Sequence, residues 1–355
     1  MLPLFTEERD PWIVRWVVAK PEALPGGRLP PGRSRAQLVE EGVVETQVDY
    51  RVVPSAKPGL YANTFGPVPG VVAAPLVAAA ETVVPGITAR PAERFRVLRL
   101  AASAMVALSV LAILAAAAHF APGSQALAVA LVAAFATSAF SVLSQGLWQQ
   151  TPAMLFLSLA ILAYVQGGPK GARWPDVLCG LALGLAMSTR MSCLGLPLAI
   201  LGYELLFRRN TRRVLRIGLA IAPPLLLLLA YNAAVFGSPF TFGQTVRGAS
   251  EALRKTGSPQ LWQTPFLTGA TGLLVSPARG LFVYTPLFLF SLFGAYRVFT
   301  RREYEPLRPV VAASAVQFVL AAKWFDWWGG WTYGCRPLAD STPLFVLPLV
   351  AVLPR

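Results

Sequence analysis

The chain has 355 residues, of which 55% are hydrophobic and only 14% charged, and its formal net charge is +14. A soluble domain carries about a quarter charged residues, and several apolar stretches approach the roughly 20 residues that cross a bilayer core. The composition therefore predicts an all-α polytopic membrane protein of about eight to ten membrane segments. The apolar runs are continuous rather than alternating, which argues against a membrane barrel.

In chain order, residues 1–65 come first and read as an extracytoplasmic loop region. They hold Glu7, Glu8, Asp10, Glu40, Glu41, Glu45 and Asp49 among basic residues and a Pro/Gly-rich patch, LPGGRLPPGRSR. No part of this region has the charged start and apolar core of a signal peptide. Residues 66–355 read as the transmembrane domain. Its apolar segments are 66–88, 97–121, 125–147, 150–167, 176–189, 191–207, 214–236, 280–298, 307–324 and 341–354. Prolines in or beside them are compatible with spanning helices, because neighbouring helices re-satisfy freed backbone groups.

Arginine clusters recur at 90–99, 208–216 and 297–308. Basic residues in short loops favour the cytoplasmic side, so these are read as topology signals rather than a nucleic-acid site. With all three inside, 214–236 runs outward into a more polar loop (237–279), 280–298 returns, and 307–324 runs out again. The stretch 324–340 and the N-terminal region then lie outside. Five apolar segments separate 90–99 from 208–216, and that placement needs an even number of crossings. Ser138, Ser141, Ser144 and Gln145 interrupt 125–147, which is therefore read as re-entrant.

The chemistry-bearing residues gather on the outer side. WFDWWGGWTYGCRPLAD, at 324–340, places four tryptophans beside a glycine pair, an arginine and two aspartates. Trp327, Trp328, Trp331 and Tyr333, with Asp326 and Asp340, suit a ligand part apolar and part hydroxylated, although tryptophans also form interfacial belts. Arg190 divides two apolar halves, and Arg279 follows Pro277 at a helix start. With Arg336 they are candidate phosphate ligands, because a guanidinium fork matches phosphate oxygens. Interfacial anchoring is the alternative for each. Glu7, Glu8 and Asp10 are candidate general bases. His119 is the only histidine, and Cys179, Cys193 and Cys335 lack metal-ligand spacing, so no metal site is expected.

Seven motifs in order carry a family resemblance: GLYANTFGPVPGVVAAPL, ERFRVLRLAA, LWQQTPAMLFLSLAIL, GLALGLAMSTRMS, YNAAVFGSP, LLVSPARGLFVYTPLFL and WWGGWTYGCRPLADSTPLFVL. The pattern resembles bacterial membrane glycosyltransferases of the GT-C type, related to protein O-mannosyltransferases and aminoarabinose transferases. The resemblance implies a polyprenyl-phosphate-linked sugar as donor, a glycan or protein acceptor, and transfer on the outer face of a bacterial inner or plasma membrane. It implies inversion in a single displacement without a cofactor. An acid just after the first transmembrane helix would activate the acceptor, and arginines would hold the departing lipid phosphate. Family members open with a transmembrane helix, whereas this sequence opens at MLPLFTEERDPW. The catalytic acid is therefore expected either upstream of Met1 or at Glu7, Glu8 or Asp10. A transporter or a non-catalytic scaffold is the alternative.

Overall fold

The structure is a computed structural model that describes residues 14–19, 44–48, 51–168, 173–330 and 332–353. Four short strands come first: β1 (Val14–Ala19), β2 (Val44–Val48), β3 (Val52–Pro54) and β4 (Tyr61–Asn63). Seven helices follow: α1 (Val68–Val83), α2 (Pro91–Ala118), α3 (Gly123–Phe135), α4 (Gln150–Gln166), α5 (Arg173–Thr189), α6 (Gly195–Leu206) and α7 (Thr211–Phe236). Then come α8 (Gly243–Thr256), α9 (Phe266–Val275), the single turn α10 (Leu281–Tyr284), α11 (Phe288–Thr300), α12 (Arg308–Lys323) and α13 (Thr342–Val346). The described residues are thus mostly helical. Two of the helices, α2 and α7, are long and apolar enough to cross a membrane.

The chain forms two compact units, one of residues 1–66 with 228–259 and one of residues 67–227 with 260–355. In the first, β1 pairs antiparallel with β2, and β3 with β4, so the expected N-terminal loop carries two small sheets. Residues 228–259 join it through backbone: Ser55 Oγ and Ala56 N both donate to Val235 O, at 2.6 and 2.9 Å. Gly243 opens α8 tight against Thr64, where a Cβ would sit 2.8 Å from its carbonyl oxygen. The expected polar loop at 237–279 thus contains two helices, α8 and α9. The first is amphipathic and lays Gly243, Gly248 and Ala252 inward, a 3.6-residue pattern that polarity alone hides.

The second unit is a bundle of antiparallel apolar helices. Small residues set its spacing. On α5, Gly180 and Gly184 lie against the carbonyls of Ile217 and Ile221 on α7, and Gly294 of α11 lies against Pro348 O. The segment 341–354 forms no single continuous helix. Prolines 343 and 348 break it into α13 and a 3₁₀ turn, Leu347–Ala351, buried almost throughout. The segment 280–298 is likewise split into α10 and α11.

Contacts at the two ends of the bundle fix the direction of each helix. Arg99 Nη2, near the start of α2, donates to Gln145 Oε1, and Ser103 Oγ donates to Ser144 O at 3.0 Å. At the opposite end the Phe120 ring, just past α2, lies 6.3 Å from that of Tyr304, and Arg208 Nε donates to Glu305 Oε1 at 3.0 Å. Between 90–99 and 208–216 the chain therefore traverses five times, through α2, α3, α4, α5 and α6. The expectation that 125–147 is re-entrant is corrected: α3 and the π-helical turn Ala139–Leu143 carry the chain the whole way back. The placement of all three arginine clusters on one side is corrected with it. Residues 208–216 and 297–308 share one end, and 90–99 lie at the other.

This parity is measurable. The 28 residues of α2 span about 42 Å at a rise of 1.5 Å per residue. Spin labels on cysteines replacing Arg96 and Arg212 are expected more than about 30 Å apart, from the same rise. A distance under about 20 Å would return both clusters to one end.

Candidate functional site

After α12 the chain follows an irregular path to the 3₁₀ turn Arg336–Ser341. Gly329, Gly330 and Gly334 take φ of 69°, 76° and 65°, values that suit glycine because an added Cβ crowds the backbone there. Backbone of this kind has no helical ladder, so its carbonyls need other donors. Arginines supply them. Arg279 Nε donates to Trp328 O at 3.0 Å and its Nη2 to Gly330 O at 2.5 Å. Arg336 Nη2 donates to Gly329 O, between those two. Arg190 Nη1 donates to Pro337 O at 3.1 Å and to Asp340 Oδ2 at 2.6 Å.

Arg279 and Arg336 therefore converge on the carbonyls of 328–330, and Arg190 reaches the adjoining 3₁₀ turn. Local structure explains each approach. Arg190 breaks the helical path between α5 and α6 with φ −155° and ψ 112°. Arg279 follows Ser276–Pro277 at the end of α9, and Gly280 packs tightly on Ser276. The Arg336 guanidinium stacks 5.2 Å from the Trp148 ring centre, a cation–π arrangement contributed by the irregular stretch ahead of α4. Trp148 was not among the candidates. Its place in LWQQT, a polar break between apolar runs, was the available signal.

The remaining candidates are placed as follows. Trp327 and Trp328 meet edge to face at 5.6 Å and 89°, and the Trp327 ring lies against Gly272 on α9. Tyr333 is exposed and meets Tyr284 edge to face at 4.8 Å. Asp326 O closes a turn with Gly329 N at 2.9 Å. Asp340 does not fit the expected sugar-contacting wall: it is fully buried, held by Arg190, with Ser341 Oγ at 3.4 Å from its Oδ1. Its carboxylate balances a guanidinium that would otherwise be buried alone. Trp331, Glu7, Glu8 and Asp10 lie outside the described residues.

The arginines differ in what they leave available. All three nitrogens of Arg279 donate to carbonyls, the third to Ala278 O at 2.8 Å. Arg190 uses only Nη1, so its Nε and Nη2 make no hydrogen bond among the described residues. Those two nitrogens form one edge of the guanidinium fork, the geometry that takes a phosphate or carboxylate bidentately. Burial pushes the nearby Cys335 thiol up to about 12, so it is neither a nucleophile nor a charge at neutral pH.

A second polar cluster occupies the other end of the bundle, and the sequence reading missed it. Arg213, on α7, is almost fully buried. Its Nε donates to Asp176 Oδ1 at 2.9 Å, its Nη1 to Glu204 Oε1 at 2.9 Å and its Nη2 to Tyr164 O at 2.6 Å. The Tyr164 ring lies 4.4 Å from the guanidinium carbon, and its hydroxyl donates to Glu204 Oε1 at 2.7 Å. One side chain thus ties α4, α5, α6 and α7 together. The signal was present: Asp176 and Glu204 are single acids in otherwise apolar segments, and such acids require a partner.

No protein-family model, curated protein or solved structure matches the chain.

Breaking a buried pair by removing one partner costs about 3–5 kcal/mol, whereas replacing both with apolar groups costs much less. Asp340→Leu is therefore expected to lower unfolding stability more than Asp340→Leu combined with Arg190→Met, measured by thermal unfolding in detergent. Additive losses would mean that the two residues do not act as a pair.

Proposed function

We propose that the chain is a membrane-embedded glycosyltransferase that takes sugar from a polyprenyl-phosphate donor at the Arg190 end of the bundle. The observation that carries this reading is that Arg190, held through Nη1 alone by Pro337 O and Asp340, leaves its Nε and Nη2 edge without a hydrogen bond among the described residues. A guanidinium edge suits the lipid phosphate, and aromatic faces suit the sugar and the first isoprene units. The resemblance in motif order supports the same donor class.

In this reading the residues divide the work. Arg190 takes the phosphate oxygens and stabilises the charge that develops as the glycosidic bond breaks. Arg279 and Arg336 hold the turn in shape through its carbonyls. Asp340 fixes the orientation of Arg190. A general base removes the acceptor's proton; the candidates the sequence offers for it, Glu7, Glu8 and Asp10, lie outside the described residues. The end that carries two of the three arginine clusters (208–216 and 297–308) faces the cytoplasm in this reading, as basic loops favour, and the Arg190 end, which carries the exposed cluster at 90–99, faces the exterior.

One observation favours a second reading, a non-catalytic scaffold with the same fold. Every Arg279 nitrogen is already taken by protein carbonyls, as a purely structural arginine requires. Arg190→Lys separates the two readings, because it retains a counter-charge for Asp340 while losing the fork. Purified protein with polyprenyl-phosphate-linked mannose or aminoarabinose is expected to release sugar. The variant should release it about 100-fold more slowly at an unchanged unfolding temperature. Equal release by both proteins would remove Arg190 from the site, and no release by either would favour the scaffold.

A further inference from the structure

A cavity of about 390 Å³ lies between α6 and α12, away from the Arg190 turn. Its walls are apolar: Leu198, Ala199 and Gly202 on one helix, Pro309 and Ala312 on the other. Tyr203 and Arg308 are the polar residues of its lining, with Phe207 and Phe299 among the apolar ones. Arg308 is held in place by its own donations to Val298 O at 3.3 Å and Phe299 O at 3.2 Å.

The lining residues lie in basic stretches of the chain: Arg209 and Arg212 follow Phe207, Arg301 and Arg302 lie between Phe299 and Arg308, and all four are exposed. The acids in these stretches are Glu303 and Glu305, and Glu305 is already occupied by Tyr203 Oη at 2.9 Å and Arg208 Nε at 3.0 Å. Partial burial raises the Glu305 carboxyl, but these bonds outweigh it, so the group sits below its ordinary range. The neighbouring acids Asp176 and Glu204 are buried under Arg213. An apolar slot of this size with an arginine in its lining is complementary to one molecular class, an amphiphile with a hydrocarbon tail and an anionic head.

We propose that the groove between α6 and α12 binds one acyl chain of an anionic membrane phospholipid, with the phosphate seated against Arg308. The site rests on the membrane reading above, but not on sugar transfer. It lies at the end of the bundle opposite Arg190, where Arg213 joins four helices, so its occupant would brace the bundle rather than enter the chemistry.

Two variants test this. Gly202 lines the slot and a Cβ there meets nothing within 4 Å, so Gly202→Phe projects a ring into it, with an unchanged unfolding temperature as the folding control. Arg308→Gln removes the charge and leaves the slot. The full chain in detergent, given phosphatidylglycerol or phosphatidylcholine, is examined by native mass spectrometry. About fivefold greater retention of phosphatidylglycerol is expected, from roughly 1 kcal/mol for one basic side chain near an anionic headgroup. Gly202→Phe should abolish the preference by preventing retention, and Arg308→Gln should retain both lipids equally. Equal retention by the unaltered chain, unchanged retention by Gly202→Phe, or displacement by soluble glycerol phosphate would each overturn the proposal. A chain that stays soluble and monodisperse without detergent would instead overturn the membrane reading on which it rests.

Discussion

An irregular turn among apolar helices must find donors for its carbonyl groups, and this requirement organises one end of the protein. Trp328, Gly329 and Gly330 present three successive carbonyls in backbone that no helix or sheet completes. Unpaired, each buried carbonyl would cost about 1–3 kcal/mol. Arginine is suited to the task because it reaches far, stays charged and offers donors in a fixed plane. Arg279 and Arg336 fill that role, and Arg190 joins the adjoining turn through Pro337 O and Asp340, whose carboxylate partly offsets the gathered charge. The same solution creates a surface ready for an anion. Structural need and proposed function thus rest on neighbouring side chains, Arg279 and Arg336 on the carbonyls and Arg190 on Asp340.

The bundle carries a comparable device at its other end, closed rather than open. Arg213 has donors to Asp176, Glu204 and Tyr164 O, and an aromatic face against its guanidinium. Nothing in this arrangement leaves an edge for a ligand. Helices α4 and α5 run between the two clusters. At the Arg213 cluster lie Tyr164, near the end of α4, and Asp176, near the start of α5; at the other cluster lie Trp148, just before α4, and Arg190, just after α5. At a rise of 1.5 Å per residue, Asp176 and Arg190 are separated by about 21 Å along α5. A rigid clasp at one end lets the other present an irregular turn without loss of register.

Much of the fold was legible because apolar length is a coarse and robust signal. Eight of the ten apolar segments appear as the main body of a helix or as a helix with a short extension, and the glycines of α5 pack as small residues do. The direction of the helices was not legible. Ser138, Ser141, Ser144 and Gln145 suggested a break in 125–147, yet polar side chains there fold back onto local backbone. Ser144 Oγ donates to Phe140 O at 2.7 Å and Gln145 Nε2 to the same oxygen at 3.0 Å. Hydroxyls that bond to the preceding turn allow a helix to continue, here as a π turn. The basic clusters misled for a related reason. Arg99 and Arg213 are engaged in specific contacts, so a count of charges along the chain does not report the side on which they lie. At the candidate site the three arginines were legible by residue type. Their meeting at adjoining turns was not, because no periodicity links positions 190, 279 and 336.

The most direct test of this account is an experimental structure of the full chain with polyprenyl phosphate bound. The account places the phosphate oxygens about 2.7–2.9 Å from Arg190 Nε and Nη2, while Arg279 and Arg336 remain on the carbonyls of residues 328–330. A phosphate bound at the Arg213 end of the bundle, or one that draws Arg279 off the turn while Arg190 contacts only Asp340, would contradict it.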